Sequence, residues 1–390
     1  ANTTGASQAA VGYGVLKANT TGGGNTAIGG NATLDNNTTG SNNVAVGNNA
    51  LDFNTTASDN TALGSGASYA NTTGANNVAV GRKALFSNTT ADYNTAVGFC
   101  SLKSNTTGAQ NTMVGAFSGD GITTGQYNVG VGVHAVGSTT DAEGNTGLGY
   151  NALFENTTGD NNTAVGLFSL DTNTTGTENT AVGQNALTKN TTADNNTAMG
   201  NSAMACNTTG HTNTAFGRVA LLKITTGVSN TSIGSGALNS LTTGCGNIAI
   251  GADSAAQGAM VNITGEDNRA VFGHNGITNA YVKVAFTVTS DQRDKMNISS
   301  VPHGLNFVNQ LNPVSFQFKK SRDNDTPHGD MRYGFLAQDI LALEGDNPVI
   351  IDNENDEALK YKGEHLVPVL VNAIQELNTK IAELEAKINE

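Results

Sequence analysis

Tryptophan is absent from the 390 residues, aromatic side chains make up only 5 % of them and charged ones 13 %. So few large side chains over such a length cannot fill one thick core. They suit a thin, elongated fold in which each layer buries small residues against its neighbours. No run approaches the roughly 20 apolar residues of a membrane span, so no membrane insertion is expected. A signal peptide is not visible either, and the chain begins at Ala1 inside a repeat with no Met. That beginning is expected of a segment of a longer protein. Cysteine is scarce: Cys100, Cys206 and Cys245 fall at three different distances from the repeat glycines. They read as isolated buried thiols rather than a disulfide framework or a metal site. Paired carboxylates and His clusters do not recur, and the six histidines, among them His134, His211, His303 and His328, are scattered and read as surface residues. No cofactor and no metal are expected. An excess of basic charge is missing as well. Lys+Arg against Asp+Glu is 7 against 12 over residues 1–251 and 12 against 20 over 252–390. Both halves are acidic, which argues against a nucleic-acid backbone as partner and reads as solubility.

What the chain has in abundance is glycine, 48 residues, and much of it is periodic. Asn-Thr-Ala-Val-Gly stands at 162–166 and again at 179–183, followed by Asn-Thr-Ala-Met-Gly at 196–200. The closing glycine recurs from Gly12 to Gly251 in fifteen units, spaced by 17 residues except for one step of 18 between Gly29 and Gly47. A fixed period of this kind is the mark of a solenoid.

The columns of the repeat say what each unit does. The residue before the glycine is always apolar, from Val11 through Val97 and Phe216 to Ile250. Two before it the residue is small, mostly Ala, and four before it stands Asn in every unit but the first, which has Gln8. Small and apolar residues alternating around a Gly turn predict a short strand with one face inward. A second strand is expected at the Asn-Thr-Thr-Gly run, since Thr favours strands and Gly closes the turn. One unit buries too little alone, so neighbours must stack. Identical Asn residues stacked at the strand spacing of roughly 4.8 Å would hydrogen-bond as a ladder, and fifteen coils at that rise make a rod on the order of 70 Å long. Each Asn-Thr-Thr is also a glycosylation sequon. Yet the column seen as Asn54, Asn71, Asn156 and Asn190 is filled by Ile122, Ile224 and Leu241 in other coils, which favours burial over glycan attachment. The Asn-x-Ala-Val-Gly-x-x-Ala core of residues 1–255 resembles the head repeats of trimeric bacterial autotransporter adhesins, which form left-handed β-rolls in threes.

After Gly251 the repeat stops. Residues 256–289 read as a β transition segment, with an alternating run at 280–286, and prolines, charges and longer apolar residues then mark a compact α+β domain over 290–390. That domain opens with Thr289-Ser290-Asp291-Gln292-Arg293-Asp294-Lys295. Downstream come Gly304-Leu305, Leu311-Asn312-Pro313-Val314-Ser315-Phe316, Tyr333-Gly334-Phe335-Leu336-Ala337-Gln338-Asp339, Leu359-Lys360-Tyr361 and finally the segment 366–377. This series resembles the intramolecular chaperone of endosialidase-type phage tail spikes and fibres. The resemblance implies a module that trimerises, drives folding of the fibre ahead of it and releases itself by cutting just before the serine. Carried over, the scissile bond is Thr289–Ser290, with Ser290 as nucleophile and Lys295 as its base. A Ser hydroxyl needs a neighbour to accept its proton, and a Lys does so only when deprotonated, which burial or nearby positive charge promotes. Arg293 is a candidate for that charge or for holding a backbone carbonyl, and Asp291 would oppose it unless paired. Burial of Lys295 is expected in the assembled trimer, which would couple cutting to folding.

Leu370, Ile374, Leu377, Ile381, Leu384 and Ile388 are spaced 4, 3, 4, 3 and 4, a heptad seam over a coiled coil at 366–390. Ile at a and Leu at d favour two strands by the general rule, whereas the resemblance implies three. The expected whole is a mostly β fold, a β-solenoid or β-roll of 17-residue coils in a trimeric fibre, followed by a small α+β chaperone domain ending in a coiled-coil helix. The corresponding function is the distal part of a phage tail fibre. It is a homotrimer in the virion that contacts a host cell-surface receptor, a glycan or outer-membrane component, with single-turnover autoproteolysis as its only enzymology. Variable loop positions such as Asp160, Thr177 and His211 are open to a glycan. The alternatives are a bacterial trimeric surface adhesin, a class that ends in a membrane β-barrel rather than a charged coiled coil, and the tip of a tail spike whose enzyme lies upstream.

Overall fold

The computed structural model describes residues 2–259, 261–274, 276–277, 281–283, 290–321, 324–354, 356–357 and 359–389. They form two units, Ala1–His274 and Asn275–Glu390.

The first unit is a β-solenoid. Sixteen three-residue strands, β1 (Ala9–Val11) to β16 (Ala270–Phe272), form one parallel sheet in sequence order. Thr163 pairs with Thr180, Ala164 with Ala181 and Val165 with Val182, and the same register runs from coil to coil. The middle residue of each strand faces inward and is usually Ala with no exposure, because a 17-residue coil encloses little more than a methyl group there. The glycine that follows has a positive φ in nearly every coil, +130° at Gly166. A Cβ on it would lie 2.7 Å from the carbonyl carbon and oxygen of Gly183 in the next coil. Only glycine fits that approach. Two residues further on, and again two after that, the chain is left-handed with side chains present, as at Phe168 (φ 54°) and Leu170 (φ 52°). These corners return the chain in so few residues. Their strain is held by backbone bonds to the next coil, such as Leu170 N–H to Ala186 O at 2.9 Å.

Each coil thus contributes two inward small residues and one inward Leu or equivalent to a thin core running through the solenoid. Where the strand alanine is lost, a neighbour fills the space. Gly130 and Gly147 replace it in the middle coils, and Cβ atoms there would lie 2.5 Å from Met113 Sδ and 2.7 Å from Val136 Cγ2. The larger Met113 and Val136 occupy what two alanines would have taken.

Two sequence expectations change. The Asn-Thr-Thr-Gly run is not a second strand but a turn. Its Asn folds inward and donates to the carbonyl three residues on, as Asn173 Nδ2 does to Gly176 O at 2.9 Å, and this local bond competes with extension. The turn still bonds to its neighbour, Thr157 N–H to Thr174 O at 2.9 Å. The repeat also does not stop at Gly251. One more coil follows with extra residues inserted, so that Ile263 occupies the position of Leu241 and Phe272 pairs with Ile250. Of the alternating run expected at 280–286, only 281–283 lie within the described residues, and these form no strand.

The asparagine columns form two ladders. In the first, Asn173 Nδ2 donates to Asn156 Oδ1 at 2.8 Å and accepts in turn from Asn190 at 2.8 Å. These Asn side chains are completely buried, which excludes the sequon reading at Asn54, Asn71, Asn156 and Asn190. In the second, the Asn four before the glycine accepts the backbone N–H of its successor, Asn179 N–H to Asn162 Oδ1 at 3.0 Å. Both ladders converge on one carbonyl per coil: Gly176 O receives Asn162 and Asn173. The cysteines are free; Cys100 is buried as expected, whereas Cys206 and Cys245 are half-buried.

In the second unit α1 (Leu305–Val308) is followed by a hairpin of β17 (Val314–Ser321) and β18 (Asn324–Gly334). Then come α2 (Ala337–Glu344), a short pair β19 (Ile351–Asp352) and β20 (Lys360–Tyr361), and α3 (Leu366–Ile388). Phe307, Ile340, Ile350, Ile351, Leu366 and Val369 make its small core. The first turns of α3 face that core through Leu366, Val369 and Ala373, while the heptad seam from Leu370 to Ile388 stays exposed.

Candidate functional site

The opening of the second unit is a tight turn built by its own side chains. Asp291 is extended and caps a one-turn 3₁₀ helix over Gln292–Asp294, its carboxylate accepting from Arg293 N–H at 2.9 Å. The Arg293 guanidinium returns to the same carboxylate, with Nε 3.1 Å from both oxygens and Nη2 2.6 Å from Oδ2. A two-pronged ion pair of this kind fixes direction as well as distance. Arg293 holds the Asp291 carboxyl below its ordinary range, and Asp291 pushes the guanidinium further up. Lys295 N–H then donates to Gln292 O at 3.1 Å, closing the turn and sending the chain back.

The consequence is a side-chain approach that five residues of extended chain would not allow. Lys295 Nζ lies 2.6 Å from Ser290 Oγ. The structure therefore brings together Ser290 with Lys295, and Asp291 with Arg293, as two separate pairs. Arg293 is engaged by Asp291, and its backbone contact is its own N–H to that carboxylate rather than a grip on a carbonyl. Ser290 and Lys295 are solvent-exposed in the single chain. Thr289, on the other side of the expected scissile bond, lies outside the described residues.

Further along, α3 holds the segment between this turn and α1. Asn372 Nδ2 donates to His303 O at 2.8 Å, and Glu376 Oε2 accepts from Leu305 N–H at 2.8 Å, capping the start of α1. A Cβ at Gly304 would lie 2.0 Å from Glu376 Oε1, so this glycine is what lets the carboxylate approach. His303 stacks on Phe307 with ring centroids 4.3 Å apart. Sequence reasoning placed Asn372 and Glu376 only within a helix; on a face they share with His365, Thr379, Lys380 and Glu383, nothing in the sequence set them apart. Among the described residues no group of three or more His, Cys, Asp or Glu side chains is placed to hold a metal. No helix of the described residues is long and apolar enough to cross a membrane.

Comparison with curated proteins and with solved structures gives no significant match to the chain. A scan of protein families does: residues 290–347 match the family described as chaperone of endosialidase, beginning at Ser290 itself. The sixteen-stranded β-solenoid is thus followed by a chaperone-of-endosialidase domain.

Proposed function

We propose that this chain is the distal part of a trimeric phage tail fibre that attaches to the host surface, with a C-terminal domain that assembles the trimer and cuts the Thr289–Ser290 bond once. The observation that carries the reading is the approach of Lys295 Nζ to Ser290 Oγ at the first residue of the family match. In the proposed step Lys295, neutral, takes the Ser290 hydroxyl proton while Oγ attacks the carbonyl carbon of Thr289. The peptide bond gives way to an ester as the Ser290 nitrogen leaves with a proton. Water then hydrolyses that ester, leaving Thr289 as a carboxylate and Ser290 as a new amino terminus. Exposure of Lys295 in one chain fits a dyad completed by assembly, since a buried site favours the neutral amine. The exposed seam of α3, from Leu370 to Ile388, supports association of helices from several copies.

Intact-mass determination of the expressed chain beside Ser290→Ala and Lys295→Gln variants tests this. The expected result is loss of residues 290–390 from the parent alone, with a trimer mass by light scattering before cutting. An uncut parent that is fully trimeric refutes the autoproteolytic part, and a monomeric parent refutes the fibre assembly.

A further inference from the structure

From Asn19 to Ile263 the residue that heads each inward turn is buried, and it is held in one of two ways. The Asn residues join side-chain ladders, as Asn54 does with Asn37 at 2.9 Å and Asn190 with Asn173 at 2.8 Å. Ile122, Ile224, Leu241 and Ile263 leave the ladder but enter the buried apolar core. Thr139 does neither. It is completely buried, belongs to neither of the solenoid's apolar clusters, and its Oγ1 has no hydrogen-bond partner. In the next coil Asn156 Nδ2 donates to Gly159 O alone, at 2.8 Å, whereas Asn173 and Asn190 each reach a second acceptor in the coil before.

The apolar core divides at the same coil. One cluster of buried residues ends at Val136, and the next begins at Ala152. Val136 stands where Leu153, Leu170 and Leu187 stand in the coils that follow, and Gly147 stands where most strands have an inward Ala. A Cβ on Gly147 would lie 2.7 Å from Val136 Cγ2, so Val136 leans into its own coil rather than reaching Leu153. Gly147 also pairs with Gly130, and two successive strands therefore bring no inward methyl. The junction keeps its backbone bonds, such as Val136 N–H to Ala152 O at 2.9 Å. It also keeps the second ladder, Asn162 N–H to Asn145 Oδ1 at 2.9 Å, and a ring contact of His134 with Phe154.

In a solenoid each coil touches only its neighbours, so stability is a sum of coil and interface terms, and the weakest interface sets where the array comes apart. We propose that the solenoid is built as two cooperative blocks, residues 16–136 and 152–263, joined by the coil 133–149 as a compliant joint. This coil opens before either block does, and the rod yields there when it is bent. The other interruptions of the first ladder make no such joint, because Ile122, Ile224, Leu241 and Ile263 replace the lost bond with apolar contact. The joint follows from the solenoid alone and holds whether or not the second unit cuts itself.

Native-state hydrogen exchange, read by mass spectrometry on the full chain carrying Ser290→Ala in low urea, tests this. Residues 137–149 are expected to exchange at least tenfold faster than residues 188–200, the same positions of an intact coil, since one buried bond is missing and one hydroxyl is unpaired. Equal rates at the two places overturn the joint. Leu85→Ala in the first block should speed exchange at least tenfold in the coils around it and by less than twofold beyond residue 152; Leu187→Ala should do the reverse. Should either cavity prevent folding, Leu→Val at the same residue, which the solenoid already carries at Val136, is the milder form. An effect that crosses residues 137–149 undiminished overturns the two blocks. Thr139→Asn supplies the acceptor that Asn156 lacks, and exchange at 137–149 should slow about fivefold. An unchanged rate in that variant shows that the interrupted ladder is not the cause and overturns the proposal.

Discussion

Replacing Asn173 by Leu tests whether the buried ladder, rather than mere filling of the coil, holds the solenoid together. Asn173 Nδ2 donates to Asn156 Oδ1 and to Gly176 O, and its Oδ1 accepts from Asn190 Nδ2. Gly176 O keeps its second donor, Asn162, so the deletion does not orphan it. Asn156 Oδ1 loses its partner and Asn190 Nδ2 loses one of two, keeping Ala193 O. An orphaned buried acceptor costs about 1–3 kcal/mol and a lost bond about 1 kcal/mol, so the expected total is about 3 kcal/mol, with little cavity term because Leu fills the space. The informative control is Asn207→Leu. Asn207 ends its run of the ladder: the next coil has Ile224, and Asn207 Oδ1 is buried without a partner. Asn105 stands in the same position before Ile122, with the same unpaired oxygen. At residue 207 the substitution orphans Asn190 Oδ1 but removes an orphan of equal kind and adds apolar contact with Ile224, so the net change stays within about 1 kcal/mol. Native-state hydrogen exchange, read by mass spectrometry across residues 150–215, measures local opening. Since 1.4 kcal/mol is tenfold, Asn173→Leu is expected to speed exchange of the flanking coils by about a hundredfold and Asn207→Leu by less than tenfold. Equal effects at the two positions would refute the ladder argument.

Asp171 is pushed up to about 6, first by burial and then by the Glu155 carboxylate, and its Oδ1 has no partner. A carboxyl raised above its ordinary 3.8 destabilises the fold when charged, so the coil gains stability as pH falls through 6. Asp171→Asn is therefore expected to stabilise by about 1 kcal/mol at pH 8, after screening of a half-buried group, and by nothing at pH 4; an equal gain at both in exchange measurements would exclude the charge as the cause. Gly166→Ala puts a Cβ 2.7 Å from Gly183 backbone at φ +130° and should cost about 3 kcal/mol or block folding, whereas Gln184→Ala should be neutral in melting temperature. In the second unit the Glu344 carboxylate accepts from the N–H groups of Val349, Ile350 and Ile351 at 2.8, 2.7 and 3.0 Å. Glu344→Gln turns one acceptor into a donor facing an N–H, and exchange at 349–351 should rise by one to two orders of magnitude, for about 2 kcal/mol. Unchanged exchange there would show that the carboxylate is not the anchor.

Much of this protein was legible in the residues because its fold is governed by close approach between identical coils. Where Gly183 backbone sits against Gly166, only glycine fits, and so the glycines recur at a constant interval. Inward Ala, inward Leu and stacked Asn recur for the same steric reason. The chaperone module was likewise legible from the order of its motifs, and the family match starts at the serine that sequence reasoning marked. The sixteenth coil was hidden by an insertion that breaks the interval, although Ile263 continues the column of Leu241 and Asn268 keeps a positive φ. The Asn-Thr-Thr-Gly run misled because strand propensity is local, whereas its Asn turns inward to bonds that exist only once the next coil is stacked. The same holds for the outward strand residues. The repeat already places an apolar residue before every glycine, but only the geometry of the coil turns that column outward, where eleven of the sixteen are exposed. At the candidate site, spacing placed a serine and a lysine five residues apart, but the turn held by Asp291 and Arg293 decides that their side chains meet. Sequence by itself determined the repeat, its invariant contacts and the family of the module, because each is set by interactions between neighbours at fixed separation. Tertiary structure alone decided that the Asn-Thr-Thr-Gly run turns inward and which side chains converge at the chain's second unit, because these depend on what the next coil or the next turn presents.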